Sequence, residues 1–160
     1  MLRLDDRDIA ILSILAREGR ITKAALAARV NLSPSPCWER LHRLERAGLI
    51  AAYRAEIAPA AFGPHVTVFV TVELGAHGAP ELARFEADVA ARPEITGCWA
   101  LGGGFDYLLQ VTVADIDSYQ RLIDRMLDAG IGLRRYYSYV VTKQVKAQAP
   151  PLHLLAVQTG

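Results

Sequence analysis

Between Ser33 and Arg46 the chain gathers side chains suited to meeting a polyanion. Read as a helix that begins near Pro34–Pro36 and stops at Gly48, this stretch places Cys37, Leu41 and Leu44 on one face. Ser35, Trp38, Glu39, His42, Arg43 and Arg46 then point away or sideways. Hydroxyls, an imidazole, an indole and two guanidiniums can bond to base edges and phosphates, and a helix fits the major groove. The same pattern also suits the solvated face of an ordinary bundle helix, with Trp38 covering its own core. A second candidate is Gly102-Gly103-Gly104-Phe105-Asp106. Three glycines let a backbone approach a ligand and aim N–H groups at a carboxylate. Asp106 can accept from an α-amino group. The alternative is a tight hairpin in which Asp106 bonds its own loop.

Other chemistries are poorly represented. His42, His65, His77 and His153 lie beside no evident nucleophile or acid pair and lack metal-ligand spacing. Cys37 and Cys98 form no CxxC pair and are expected to be small buried residues. A triple glycine without a following Lys-Ser/Thr is not a phosphate-binding loop. No metal, cofactor or enzymatic activity is expected. No apolar run is long enough to span a bilayer, and acids at Asp5 and Asp6 replace the basic start of a signal peptide, so a cytoplasmic protein with no membrane partner is expected. The formal net charge is +1, but residues 1–54 carry +4 and residues 55–160 carry −3, which points to a polyanion partner at one end.

The elements that must position these groups fall into two sets. Asp5 and Asp8 resemble a capping pair, followed by Ile9, Leu12, Leu15 and Ala16 at helical spacing, with Gly19 as a left-handed stop. Thr22 caps a second helix, from Lys23 to about Arg29, with Leu26 and Val30 inward; Asn31-Leu32-Ser33 is a turn. Such a short helix and tight turn before Ser33–Arg46 give helix-turn-helix spacing. Residues 49–57 read as a strand or wing, with Arg54 able to reach a phosphate. Ala58–Pro64 reads as a linker. The expected divisions are 1–54, a connector at 55–64, a domain at 65–146 and a tail at 147–160.

From Val66 the pattern alternates along a strand to Leu74. A helix from Pro80 follows, with Leu82, Phe85 and Val89 inward. Strands then span Ile95–Leu101 and Tyr107–Val113, paired as a hairpin. Ile116, Tyr119, Leu122, Ile123 and Met126 form a helical stripe, and a last strand runs from Leu133 to about Val145. The order is βαββαβ, so the fold class is α+β, with a ferredoxin-like domain after a winged helix-turn-helix. Two helices cover one sheet face. Phe69, Tyr137 and Tyr139 then suit a subunit interface, and a sheet-to-sheet dimer is expected.

The string Leu32-Ser33-Pro34-Ser35-Pro36-Cys37-Trp38-Glu39-Arg40-Leu41-His42-Arg43-Leu44-Glu45-Arg46-Ala47-Gly48-Leu49-Ile50 resembles the recognition-helix signature of the Lrp/AsnC, or feast/famine, regulators. Leu4-Asp5, Asp8, Ile11-Leu12, Tyr53 and Phe62-Gly63 are similar as well. This resemblance spans nearly the whole chain. It implies a transcription regulator that binds double-stranded DNA through residues 33–46, adding Ser33, Pro36 and Arg40 to the outward face. It implies a homodimer that assembles further, to tetramers or octamers. It also implies an amino acid, or a related metabolite, as effector, bound between subunits near Leu101, Gly102, Gly103, Gly104 and Asp106. Ser138 stands where the family often has Thr, and would add a hydroxyl. Many relatives resemble Thr-Gly-Asp-Tyr-Asp in this loop; Gly103 and Asp106 match, whereas Gly102 and Gly104 replace a hydroxyl and an acid. The rival readings are a ligand-independent architectural DNA protein and an enzyme on a ferredoxin-like domain.

Overall fold

The computed structural model describes residues 2–155, so the last five residues of the expected tail lie outside the described residues. The chain forms two compact units. One contains residues up to 57 together with the segment from 146 onward, and the other contains residues 58–145.

The first unit begins with α1 (Asp6–Leu15). Its capping box is complete: the Asp8 N–H donates to Asp5 Oδ1 at 2.9 Å, and the Asp5 N–H donates to Asp8 Oδ2 at 3.1 Å. In α2 (Lys23–Arg29) the Thr22 hydroxyl accepts from the Ala25 N–H at 3.2 Å. In α3 (Pro34–Arg46) prolines occupy the first turn, where a missing N–H removes no helical bond. Ile11, Leu26, Ala27, Val30, Cys37, Leu41 and Leu44 form the core. Each large apolar side chain buried this way contributes about 1.5–3 kcal/mol.

Three expectations change here. Ile11, not Ile9, Leu12 or Leu15, is the fully buried apolar side chain of α1. Ile9, Leu12 and Leu15 instead line an apolar cleft of about 440 Å³ with Leu49, Ile50 and Leu152 and Leu155 of α6 (Leu152–Leu155). Gly19 does not take positive φ; the left-handed residues of this unit are Gly48 (φ +71) after α3 and Asn31 (φ +53) between α2 and α3. Asn is among the few side-chain-bearing residues that adopt this conformation readily. Finally, the expected strand or wing at residues 49–57 does not form, because no described segment of this unit offers a ladder partner.

The second unit follows a 3-10 turn at Pro59–Phe62. Its elements are β1 (Val66–Leu74), α4 (Ala79–Ala90), β2 (Ile95–Ala100), β3 (Tyr107–Val113), α5 (Ile116–Asp128) and β4 (Leu133–Val140). The antiparallel sheet has the order β2-β3-β1-β4. Val68, Val70, Val72 and Leu74 pack with Leu109, Val111, Phe85, Leu122, Ile123 and Met126 on the helix side. Ile116 is an exception to the α5 stripe and is half exposed. The last ladder ends at Val140, short of Val145.

Register decides the other face. Phe69 pairs with Tyr139 and Gln110, and Thr71 pairs with Tyr137 and Leu108. Trp99 pairs with Leu108. Directly paired residues share a face, so Phe69, Trp99, Tyr137 and Tyr139 all lie on the side away from the helices. Cys37 is buried as expected, but Cys98 is exposed. It lies on edge strand β2, beside a cavity of about 360 Å³ between that strand and α4.

Candidate nucleic-acid interface and ligand hairpin

The outward face of α3 is assembled by the inward anchoring of Cys37, Leu41 and Leu44. Ser33, Ser35, Pro36, Glu39, Arg43 and Arg46 are exposed, whereas Trp38, Arg40 and His42 are half-buried. The Ser33 side chain makes no capping bond, which leaves its hydroxyl at the positive end of the helix dipole. Trp38 packs on the core, and its ring takes the Lys23 ammonium 3.2 Å from its centroid. His42 meets Trp38 edge to face at 3.8 Å between centroids, and its Nδ1 lies 2.9 Å from Glu45 Oε2. The Tyr53 hydroxyl donates to Glu45 Oε1 at 2.8 Å. Burial, together with that carboxylate, pushes the Tyr53 phenol up to about 12. Arg46 Nε donates to the His42 carbonyl at 3.3 Å.

Arg40 and Arg43 converge on the start of α1. Arg40 Nη1 donates to Asp5 Oδ2 at 2.7 Å and to Asp8 Oδ1 at 2.9 Å; Arg43 Nη2 donates to Asp8 Oδ2 at 2.6 Å. Burial opposes ionisation of Asp5, but the Asp8 N–H and the Arg40 guanidinium outweigh it and hold the carboxyl below its usual range. These acids were legible only as helix caps, and Lys23 gave no signal at all. Spacing along one helix does not show what another helix brings to it.

In the second unit the hairpin closes with the Leu101 N–H donating to the Asp106 carbonyl at 2.8 Å. The Asp106 side chain does not bond its own loop. Its Oδ2 accepts from the Leu74 N–H at 2.7 Å, and its Oδ1 lies 2.9 Å from His77 Nε2. His77, on the β1–α4 loop, is remote from Asp106 in sequence, so spacing along the chain gives no sign of this pair. Leu101, Gly102, Gly103 and Gly104 are exposed. A Cβ added at any of the three glycines would meet nothing within 4 Å, so packing in this chain does not demand glycine there. Ser138 is not brought to this cluster. It pairs with Val70 on the helix side of the sheet, and its hydroxyl is bonded to that of Tyr119. Phe105 stacks edge to face on Tyr137 at 5.6 Å between centroids.

Among the described residues no group of three or more His, Cys, Asp or Glu is placed to hold a metal ion, and no helix is long and apolar enough to cross a membrane.

Comparison with known proteins fits both halves. A family model described as winged helix-turn-helix DNA-binding matches residues 4–51, and one described as the Lrp/AsnC ligand binding domain matches residues 67–151. The chain is 51% identical over 145 residues to the transcriptional regulatory protein DoeX of Halomonas elongata, covering 91% of this chain and 92% of that one. It is 40% identical over 144 residues to the leucine-responsive regulatory protein of Escherichia coli strain K12, covering 89% and 87%. Among solved structures, an AsnC family transcriptional regulator from Agrobacterium tumefaciens superposes with a TM-score of 0.89 at 34% identity, over 96% of this chain and 100% of that one. A transcriptional regulator from Neisseria meningitidis in complex with L-Met superposes with a TM-score of 0.87 at 35% identity, over 95% and 99%. With a DNA-binding helix-turn-helix at one end, a ligand binding domain over most of the remainder and regulators as relatives along its length, this chain belongs to the Lrp/AsnC family of DNA-binding transcriptional regulators.

Proposed function

We propose that this regulator reads DNA with the outward face of α3 and that an amino acid or related metabolite tunes its binding. The observation that carries the reading is the exposed polar face of Ser33, Ser35, Glu39, Arg43 and Arg46 on a helix whose opposite face is anchored in the core. Pro36, Trp38 and His42 complete it, and Arg40 belongs to it through its ion pairs. The effector binds at Leu101–Gly104 and Asp106, where open backbone meets a fixed carboxylate. The L-Met bound to the Neisseria relative supports an amino acid as its class. The unit is a cytoplasmic homodimer joined through the open sheet face, and dimers assemble further; the exposed aromatics there support this. It acts without catalysis.

Selection from a randomised duplex pool, with and without each amino acid, tests the reading. Enrichment of a two-fold symmetric sequence, altered by at least one amino acid, is expected. Binding without enrichment and without response to any amino acid identifies an architectural DNA protein and overturns it.

A further inference from the structure

Asp8 is the one fully buried charged residue among those described, and DNA recognition as set out above makes no use of it. Its side chain is 1% exposed, while Arg43 is 43% exposed and Arg40 28% exposed. A carboxylate this deep is costly unless it is paired and hydrogen-bonded, and here each oxygen meets a guanidinium from α3. Arg40 and Arg43 are three residues apart, so they project from one side of that helix.

We propose that Asp8 is a positioning residue for DNA binding: it holds the Arg43 guanidinium at the rim of α3 so that its remaining donors meet a phosphate. This rests on the assignment of Arg43 to the DNA-contacting face. A guanidinium has five N–H donors, and Arg43 spends one on Asp8. The fork can therefore bridge carboxylate and phosphate at once. A long side chain loses rotamer freedom when it binds; fixing it beforehand removes that cost from association. Arg40 makes the arrangement tolerant. Its Nη1 lies between Asp5 and Asp8, so the buried carboxylate keeps a cation even as phosphate draws charge from Arg43.

The test measures affinity of the full chain for a fluorescent duplex of mixed sequence across a salt series. Variants are compared at equal folded fraction by circular dichroism. Arg43→Gln should weaken binding and lower the salt slope by about one unit, the loss of one phosphate contact. Asp8→Asn should weaken binding roughly tenfold, as loss of a charge-assisted hydrogen bond does. The double variant should bind no worse than Arg43→Gln alone, because Asp8 acts through Arg43. Arg43→Lys keeps the charge but replaces the planar fork with a shorter, freely rotating ammonium that Asp8 cannot hold in one orientation, so its slope should hold while its affinity drops; this variant serves if Asp8→Asn does not fold. An unchanged slope in Arg43→Gln removes Arg43 from the interface, and the proposal with it. A normal slope effect in Arg43→Gln, with penalties that simply add in the double variant, leaves Arg43 on the DNA but overturns the role of Asp8. Wild-type affinity in Arg43→Lys also overturns it.

Discussion

The Asp106 carboxylate serves backbone and side chain at the same time, and substitution separates those duties. Asp106 accepts from the Leu74 N–H and meets His77. Asp106→Ala strands that N–H and should cost about 1–2 kcal/mol in urea unfolding, whereas Asp106→Asn retains an acceptor and should cost less. The asparagine variant is therefore the cleaner probe of ligand binding: thermal shifts with amino acids should fall while the unliganded stability stays closer to wild type. Tyrosines offer a second residue-scale outcome. Burial and a neighbouring carboxylate push Tyr53, beside Glu45, and Tyr107, beside Glu86, up to about 12. Their folded values lie above the ordinary 10, so the stability they confer is complete below 10 and is lost as pH rises through about 12. Phenolate absorbance should show these two ionising late, and Glu86→Gln should advance Tyr107. None of these partners was legible beforehand. Pattern reading gives the face a residue occupies, while the identity of a partner from a distant element depends on the fold's closure.

Elements were read far better than contacts, for a physical reason. The βαββαβ order follows from period-two alternation in β1 and β3 and from the stripe Tyr119, Leu122, Ile123 and Met126 in α5. Such patterns are imposed locally by burial of one face. Expectations failed where local pattern was permissive. The run at 49–57 is compatible with a wing, but a strand needs a neighbour, and that neighbour is not local. Gly19 can adopt a left-handed conformation, yet the helix-turn-helix uses it at Asn31. Val30 and Asn31 carbonyls receive the Arg7 guanidinium, which fixes that turn. Asn31→Gly should thus be near neutral in thermal unfolding, and Asn31→Val should lose about 1–2 kcal/mol by forcing a branched side chain to positive φ.

At the scale of the whole molecule, the sheet leaves Trp99, Tyr137 and Tyr139 exposed on the side opposite its helices. The proposed dimer buries that face. Tyr139→Asp should give monomers in light scattering, with the helix-side core intact, because Tyr139 touches none of it. The resemblance in Ser33–Arg46 was visible in the residues, since a helix carries its surface chemistry in consecutive sequence; a cleft shared by both ends of the chain was not. That cleft has a consequence for synthesis. Leu152 and Leu155 reach the apolar side of α1, so the unit that reads DNA is assembled from segments on either side of the β-sheet unit in the sequence. During translation its three helices leave the ribosome before the β-sheet unit, yet their outer groove waits for α6 until that entire unit has been made. A nascent chain thus completes its β-sheet unit before it completes its three-helix unit.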